Sequence, residues 1–319
     1  MMTMINHTTP LMRGGLTVLS LCDGMSCGQI ALKELGIVVK TYYSCEIDKN
    51  AIKVTMDNFP NTIQLGDVTK ISEDFLQTLP KVDLVIFGSP CRSLSKATAG
   101  RKQYNNGLQG TSWLFYPCND ILQWIKTNNN PDVMFMVENV DSNKVDDINE
   151  ISELLGVKPI LIDSALFSAQ ERKRNYWTNI PVAELPKHNS LVLRDIMDDT
   201  VEDKFFYVQD YTYHGNHKRV CATLHINGHD ILKRVYSPDF KSPTLTSCRG
   251  GNLQKKVMDN GKARKLTPNE YRKLQTIPDW YQMNVANSHI YNMCGDGWTI
   301  EVIKHIFKGL ITINTSKGV

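Results

Sequence analysis

Three short stretches hold the side chains best suited to covalent chemistry. Gly88-Ser89-Pro90-Cys91 places a thiol just after the apolar, β-branched run at residues 82–87. That run reads as a buried parallel strand, which Gly, Ser and Pro then end. Cys91 therefore falls on a loop at a strand's carboxyl end, the edge where open α/β sheets gather ligands. A thiol there is a candidate nucleophile. Glu138 and Asn139 follow a second apolar run, residues 133–137, and share that edge. A desolvated carboxyl beside a substrate ring would hold and deliver a proton. Gln170, Arg172 and Arg174 alternate along a third, extended stretch and project to one face. Fixed guanidinium groups there would orient a polar ring or grip a phosphate. Taken singly, the second and third have plainer readings, a helix-capping pair and a basic strand.

The elements that must position them recur with a βαβ rhythm over residues 16–180, which predicts a doubly wound, mainly parallel sheet. Residues 16–21 read as a strand, 24–28 as a turn and 29–35 as a helix closed by Gly36. A second strand at 41–46 and helix at 48–58 follow, and helical periodicity returns at 113–126. Gly24 and Gly28 would bring backbone close to a ligand and offer amides at a helix amino end. Glu46 ends the second strand, where an acid commonly accepts a ribose hydroxyl. Asp67 follows the third, where it would accept from an adenine amino group. After Pro181 the rhythm fails, and an acidic turn at 198–203 introduces a short, irregular region. From Leu266 helical patterning resumes, with Thr267 and Glu270 at capping-box spacing. The expected divisions are a leader at 1–15, a catalytic domain at 16–184, an irregular region at 185–262 and a returning segment at 263–319.

The chain has 319 residues, 41% of them hydrophobic and 22% charged, the profile of a soluble globular protein. No apolar run approaches the ~20 residues of a membrane span, and the start lacks a signal-peptide layout. Eight cysteines are scattered without a C-x-x-C pair or metal spacing, which predicts no metal site and fits a reducing cytosol. Charge is uneven. Residues 211–265 carry eleven Lys/Arg against three acids, although the whole chain is only +3. So basic a stretch on an otherwise acidic chain suggests a polyanionic partner.

Together these segments resemble the DNA cytosine carbon-5 methyltransferase family, over about residues 16–310 with 185–262 excluded. The resemblance rests on Asp23-Gly24-Met25-Ser26-Cys27-Gly28, Glu46, Gly66-Asp67-Val68, Gly88-Ser89-Pro90-Cys91, Glu138-Asn139-Val140 and the Gln-x-Arg-x-Arg of 170–174. Arg264-Lys265-Leu266-Thr267-Pro268-x-Glu270, Leu274-Gln275-x-Ile277-Pro278 and Gly295-Asp296-Gly297-Trp298-Thr299 follow in order. The opening Leu-Ser-Leu-x-Asp-Gly and the segment from Gly110 to Phe115 are most similar to the branch containing the animal de novo enzymes, a style that small phage and bacterial members share.

The resemblance implies a Rossmann-like S-adenosylmethionine-dependent methyltransferase fold, a doubly wound mixed sheet with a small irregular target-recognition lobe. It implies that Cys91 adds to carbon 6 of cytosine, that Glu138 serves ring nitrogen 3, and that Arg172 holds the ring oxygen with Arg174 in support. It places S-adenosylmethionine against Cys22, Asp23, Gly24, Met25, Ser26, Cys27 and Gly28. Glu46 would take the ribose with Ile47 against adenine, and Asp67 the amino group with Val68 beside it. Ser89, Pro90, Leu114, Asp296, Gly297 and Trp298 would complete the cofactor set. Double-stranded DNA with the target base flipped out is the implied substrate, met by Arg92, Ser95, Arg219, Arg249, Lys255 and Lys256. A cytoplasmic monomer or weak dimer is expected, with no membrane or metal; a restriction endonuclease partner would leave no trace in this chain. Three positions depart from the family: Cys22 replaces the usual aromatic, Arg92 a Gln or Asn, and Asp296 an Asn. A catalytically silent DNA-binding regulator and an RNA methyltransferase are the competing readings; the RNA branch's Cys-Phe-Thr segment is absent.

Overall fold

The computed structural model describes residues 14–91, 93–94, 107–110, 112–142 and 144–316, with side chains to residue 312. Residues 1–13 of the expected leader, Arg92 and Ser95 lie outside them. The described residues form two compact units, one drawn from within 14–162, 173–184 and 303–316, the other from 163–172 and 185–302.

The first unit is built on a seven-stranded sheet. Its elements are β1 (Leu16–Leu21), α1 (Cys27–Glu34), β2 (Val39–Cys45), α2 (Lys49–Asn58), β3 (Ile63–Gln64), α3 (Glu73–Thr78), β4 (Leu84–Phe87), α4 (Phe115–Trp124), β5 (Met134–Val140), α5 (Val145–Leu155), β6 (Ile160–Asp163) and β7 (Lys173–Thr178). The strand order is β3-β2-β1-β4-β5-β7-β6. Strands β3 to β5 pair in parallel, and β7 runs antiparallel to β5, so the sheet is mixed as expected. Order reverses between β1 and β4, and such a switch point opens a crevice at the strands' carboxyl ends.

Alternation along the central strands explains the two covered faces. Leu19, Leu21, Val85, Phe87, Phe135 and Val137 pack with Phe115, Cys118 and Leu122 of α4 in one core. Ile86, on the opposite face, meets α1 at Gly28. Helix starts follow local chemistry: Asp48 accepts from Asn50 N (2.7 Å) and Ala51 N to open α2, and Ser72 accepts from Phe75 N to open α3. The helix expected over 113–126 is α-helical only within α4 and passes into a π turn at Ile125–Asn129. Asn129 there donates to Leu79 O and Pro80 O and accepts from Val82 N, pinning the approach to β4.

The second unit contains a five-stranded sheet, β12-β11-β10-β9-β8. It comprises β8 (Tyr211–Tyr213), β9 (Val220–Leu224), α6 (Asp230–Lys233), β10 (Arg234–Tyr236), β11 (Lys256–Asp259) and β12 (Lys262–Lys265), followed by α7 (Pro268–Leu274) and α8 (Asn287–Asp296). One of its core clusters comprises Cys221, Ala222, Leu224, Val235, Met258 and Ala263. The division expected at 263 is corrected here. β12 closes the β11 hairpin, and Arg264 is tied to Glu270 of α7, so residues 263–302 belong to this unit. Only from residue 303, within α9 (Ile300–Ser316), does the chain rejoin the first unit, where Lys304 lies 3.6 Å from Glu34 of α1.

Candidate active site

In the first unit, Cys91 is half-buried and follows β4 on the Gly88-Ser89-Pro90 loop. The neighbouring strand β5 carries the carboxyl. It extends three residues past its expected end, because β7 pairs with it through Glu138↔Tyr176 and Val140↔Arg174. Glu138 thus stands in a strand rather than after one, and the helix-capping reading fails. Arg174, opposite Val140, is the diagonal neighbour of Glu138 on the same face, and its Nε lies 3.0 Å from Glu138 Oε1. Asn139, on the other face, donates through Nδ2 to Ser89 Oγ (3.3 Å) and Ser89 O (3.5 Å). That side chain fastens the loop bearing Cys91 to the strand bearing Glu138.

The two arginines do different work. Arg172 belongs to the second unit and is buried. Its Nη1 donates to Leu245 O (2.9 Å), and its Nη2 to Gly295 O (3.0 Å) and Gly297 O (2.9 Å). Gln170 is buried beside it, accepting from Leu245 N and donating to Leu274 O and Gln275 Oε1. Gln275 in turn donates to Gly297 O and accepts from Thr299 Oγ1. The expected common face of Gln170, Arg172 and Arg174 is therefore split. Residues 170 and 172 knit the Gly297–Thr299 segment, while Arg174 serves the carboxyl.

The loop after β1 is left-handed at Cys22, Gly24 and Ser26, with φ of 54°, 58° and 55°. Only Gly takes that conformation without cost, and a Cβ on Gly24 would meet nothing within 4 Å, so this backbone stands open. Gly28 differs: a Cβ there would collide with Ile86 Cδ1, so its role is close packing of α1 on β4 rather than approach to a ligand. Met25, Ser26 and Cys27 are also buried and offer backbone alone. Asp23 turns inward. Its carboxylate accepts from Ser20 Oγ (2.5 Å), Ser26 Oγ, Tyr42 OH (2.8 Å) and Ser44 Oγ (2.9 Å). Burial raises its pKa above the ordinary carboxylate value despite those four bonds. Sequence reasoning missed these hydroxyls; the signal that could have found them is Ser20 in the mostly apolar β1, with Tyr42 and Ser44 alternating on β2 beside it.

Two acids end the next strands. Glu46 accepts from Gly24 N (2.7 Å) through Oε2 and from Ile47 N and Asp48 N through Oε1, fixing the glycine loop against β2. Ile47 beside it is 70% exposed, an apolar face without cover. Asp67 accepts from Thr69 N and Thr69 Oγ1, both through Oδ1, and these bonds lower its pKa. Val68 is buried, and Leu114 caps α4 from a half-buried position.

In the second unit, Asp296 ends α8 exposed, its Oδ2 accepting from Ser247 Oγ and Asn292 Nδ2, and Trp298 is buried. Arg249 is exposed; Arg219 pairs with Glu171 at 2.6 Å. Lys256 corrects the expectation of a DNA contact. It is 2% exposed on the inner strand β11, donating to Asn252 O (2.8 Å) and Gln254 O (2.9 Å). Burial, then Lys255 and Lys265, push its pKa down to about 8. Lys255 is half-buried, and burial lowers its pKa too. Among the described residues no cluster of three or more His, Cys, Asp or Glu is arranged to hold a metal ion, and no helix is long and apolar enough to cross a membrane.

Residues 16–312 match the model of the C-5 cytosine-specific DNA methylase family. The chain is 26% identical to the type II methyltransferase M1.ScrFI of Lactococcus lactis subsp. cremoris, over 86% of this chain and 73% of that protein. It is 23% identical to the orphan methyltransferase M.SPBetaI of Bacillus phage SPbeta, over 95% of this chain and 99% of that protein. Among solved structures, a DNA modification methyltransferase encoded within an E. coli prophage superposes with a TM-score of 0.66 at 17% identity, over 94% of this chain and 99% of that one. That likeness extends the Rossmann-like methyltransferase fold to this chain.

Proposed function

The chain belongs to the C-5 cytosine-specific DNA methylase family, and from that premise we propose that it transfers a methyl group from S-adenosylmethionine to carbon 5 of a cytosine within a specific duplex DNA sequence. The observation that carries this reading is Cys91 on the loop after β4, fastened through Ser89 and Asn139 to β5, whose Glu138 pairs with Arg174 of β7.

Carbon 5 of cytosine is a weak nucleophile. Addition of the Cys91 sulfur to carbon 6 forms a sulfur–carbon bond and shifts the ring's double-bond electrons toward carbon 5. Glu138 hydrogen-bonds or protonates ring nitrogen 3 and offsets the charge that develops there. Arg174, rather than Arg172, orients that carboxyl and offers its Nη2 to the ring oxygen. When bound, S-adenosylmethionine supplies an electrophilic sulfonium methyl. Loss of the carbon-5 proton then returns an electron pair to the ring and breaks the bond from Cys91 to carbon 6. The base must leave the duplex stack to meet Cys91, which costs a few kcal/mol; contacts from the basic 211–265 stretch offset that cost.

The residues present fit the cofactor. Gly24 leaves room for a ligand against its backbone, Ile47 offers an uncovered apolar face for adenine, and Glu46 and Asp67 stand at adjoining strand ends for ribose and amino group. Asp296, Gly297 and Trp298 lie in the second unit. Arg172 is a positioning residue for that segment. A cytoplasmic protein acting on DNA, without a metal, completes the reading.

A covalent trap tests it. In DNA containing 5-fluorocytosine, fluorine replaces the proton whose loss frees the thiol. With S-adenosylmethionine present, the protein should form a denaturation-resistant complex mapping to Cys91, and Cys91→Ser none. A folded, cofactor-binding wild type that never forms the complex would count against the proposal.

A further inference from the structure

Cys22 Sγ and Cys118 Sγ lie 3.9 Å apart, within the first unit, where the catalytic account uses neither thiol. Cys22 is half-buried on the left-handed step after β1, immediately before Asp23 and Gly24. Cys118 is buried in the first turn of α4, and its amide bonds Leu114 O one turn back. One thiol thus belongs to the glycine loop and the other to the helix that begins beside Leu114. We infer that Cys22 and Cys118 are a modification site, a dithiol that hydrogen peroxide closes to a disulfide, with loss of cofactor binding. The second half of this inference rests on the cofactor site proposed above.

The chemistry balances with peroxide as oxidant. The Cys22 sulfur attacks one peroxide oxygen and the O–O bond breaks. The other oxygen leaves with the Cys22 proton as water, and Cys22 becomes a sulfenic acid. The Cys118 sulfur then attacks the Cys22 sulfur. The S–O bond breaks, hydroxide takes the Cys118 proton as the second water, and the S–S bond forms. Two thiols have been oxidised and one peroxide reduced. Cys22 is the more accessible of the two, so it reacts first, and the buried Cys118 resolves it. Thiol acidity does not choose between Cys118 and Cys45 at the end of β2, since both are buried. Burial, then Cys22 and Asp23, push the Cys45 pKa up to about 12, and the contact with Cys22, then burial, raises that of Cys118 as well. It is the 3.9 Å sulfur contact that selects Cys118.

The bond would act on the cofactor loop through short connections. Asp23 N donates to Cys45 O (2.9 Å), and Gly24 N to Glu46. Drawing Cys22 toward α4 pulls against both bonds and holds the Cys22 side chain down beside Leu114.

The test uses the full chain carrying Cys91→Ser, so that oxidation of the nucleophile plays no part. Protein treated with hydrogen peroxide is mapped by peptide mass spectrometry without reduction, and S-adenosylmethionine binding is measured by calorimetry. The expected result is a Cys22–Cys118 linked peptide within one chain, affinity weakened about tenfold or more, and recovery with dithiothreitol. Adding Cys118→Ala should abolish the linked peptide and leave affinity after peroxide close to that of reduced protein. No linked peptide, a linked peptide with unchanged affinity, or equal loss in Cys118→Ala would each overturn the inference. Reduced protein that fails to bind S-adenosylmethionine would instead sink the proposed cofactor site, while the linked peptide would still decide whether the bond forms.

Discussion

Asp23 in the first unit and Glu270 in the second are both carboxylates turned away from water, and the chain compensates them differently. Asp23 is met by four neutral hydroxyls. Glu270 is fully buried and met by a guanidinium: Arg264 Nη1 lies 2.8 Å from Oε2 and Nη2 2.7 Å from Oε1, while Arg264 Nε reaches Asp259 at 2.6 Å. Desolvation wins at Asp23, whose pKa rises. At Arg264 burial opposes the charge, yet the bonds to Glu270 and Asp259 raise its pKa. Hydroxyls hold a ligand loop without adding a countercharge where a cationic cofactor is proposed to sit. A bidentate ion pair instead ties β12 to α7 in a unit whose strands are short.

The contrast is most easily broken at Arg264. Arg264→Ala leaves Glu270 buried and uncompensated, and should destabilise the protein by about 3–5 kcal/mol. Arg264→Met with Glu270→Leu should recover much of that. Denaturant unfolding measures both, and a single-variant loss below about 1 kcal/mol would deny the pair its role. In the first unit, Gly28→Ala drives a methyl into Ile86 and should cost about 1–3 kcal/mol. Ile86→Val deletes the offending carbon, so the double variant should lose less than the sum; strict additivity would break the packing argument. Asp23→Asn keeps the shape but leaves one strong acceptor where there were two, and should cost about 1–2 kcal/mol. Because the folded-state pKa of Asp23 is raised, the fold binds its proton more readily than the unfolded chain does. Wild type should therefore gain on the Asn variant as pH falls from neutrality toward 3.8. A gap that narrows over that range contradicts the desolvation argument.

The smallest effect concerns Lys256. Its pKa is lowered to about 8 in the fold against 10.5 for an ordinary lysine. Between those values the unfolded chain binds more protons, so the Lys256 contribution makes stability rise with pH across that window. Lys256→Met should flatten this rise, which unfolding curves at pH 8 and pH 10 would show. An unchanged slope would mean that the ammonium is solvated and available to DNA.

How much was legible follows the same contrast. Strand β4 and the start of β5 carry continuous apolar runs, and β1 is mostly apolar, so the strand ends near Cys91 and Glu138 could be placed from local pattern, while Glu46 and Asp67 were placed by the βαβ rhythm. The Thr267–Glu270 capping box was equally local, and the structure has it. What pattern hides is partnership. The length of β5 depends on β7, some 35 residues on, and only their pairing puts Glu138 within reach of Arg174. Spacing alone gave Arg172 and Arg174 one face, because nothing local says that the chain passes between units at residue 173. Lys256 counted as surface charge, because a buried lysine on two carbonyls looks in sequence like any other lysine. Gly28 looked like a ligand glycine until Ile86 was seen across from it.

The most direct test of the central claim is cytosine-modification sequencing of plasmid DNA from cells expressing this protein, beside Cys91→Ser. The expected result is 5-methylcytosine at one position of a short recurring sequence with wild type and none with the variant. Equal modification in both, or none from a folded protein that binds S-adenosylmethionine, would contradict it.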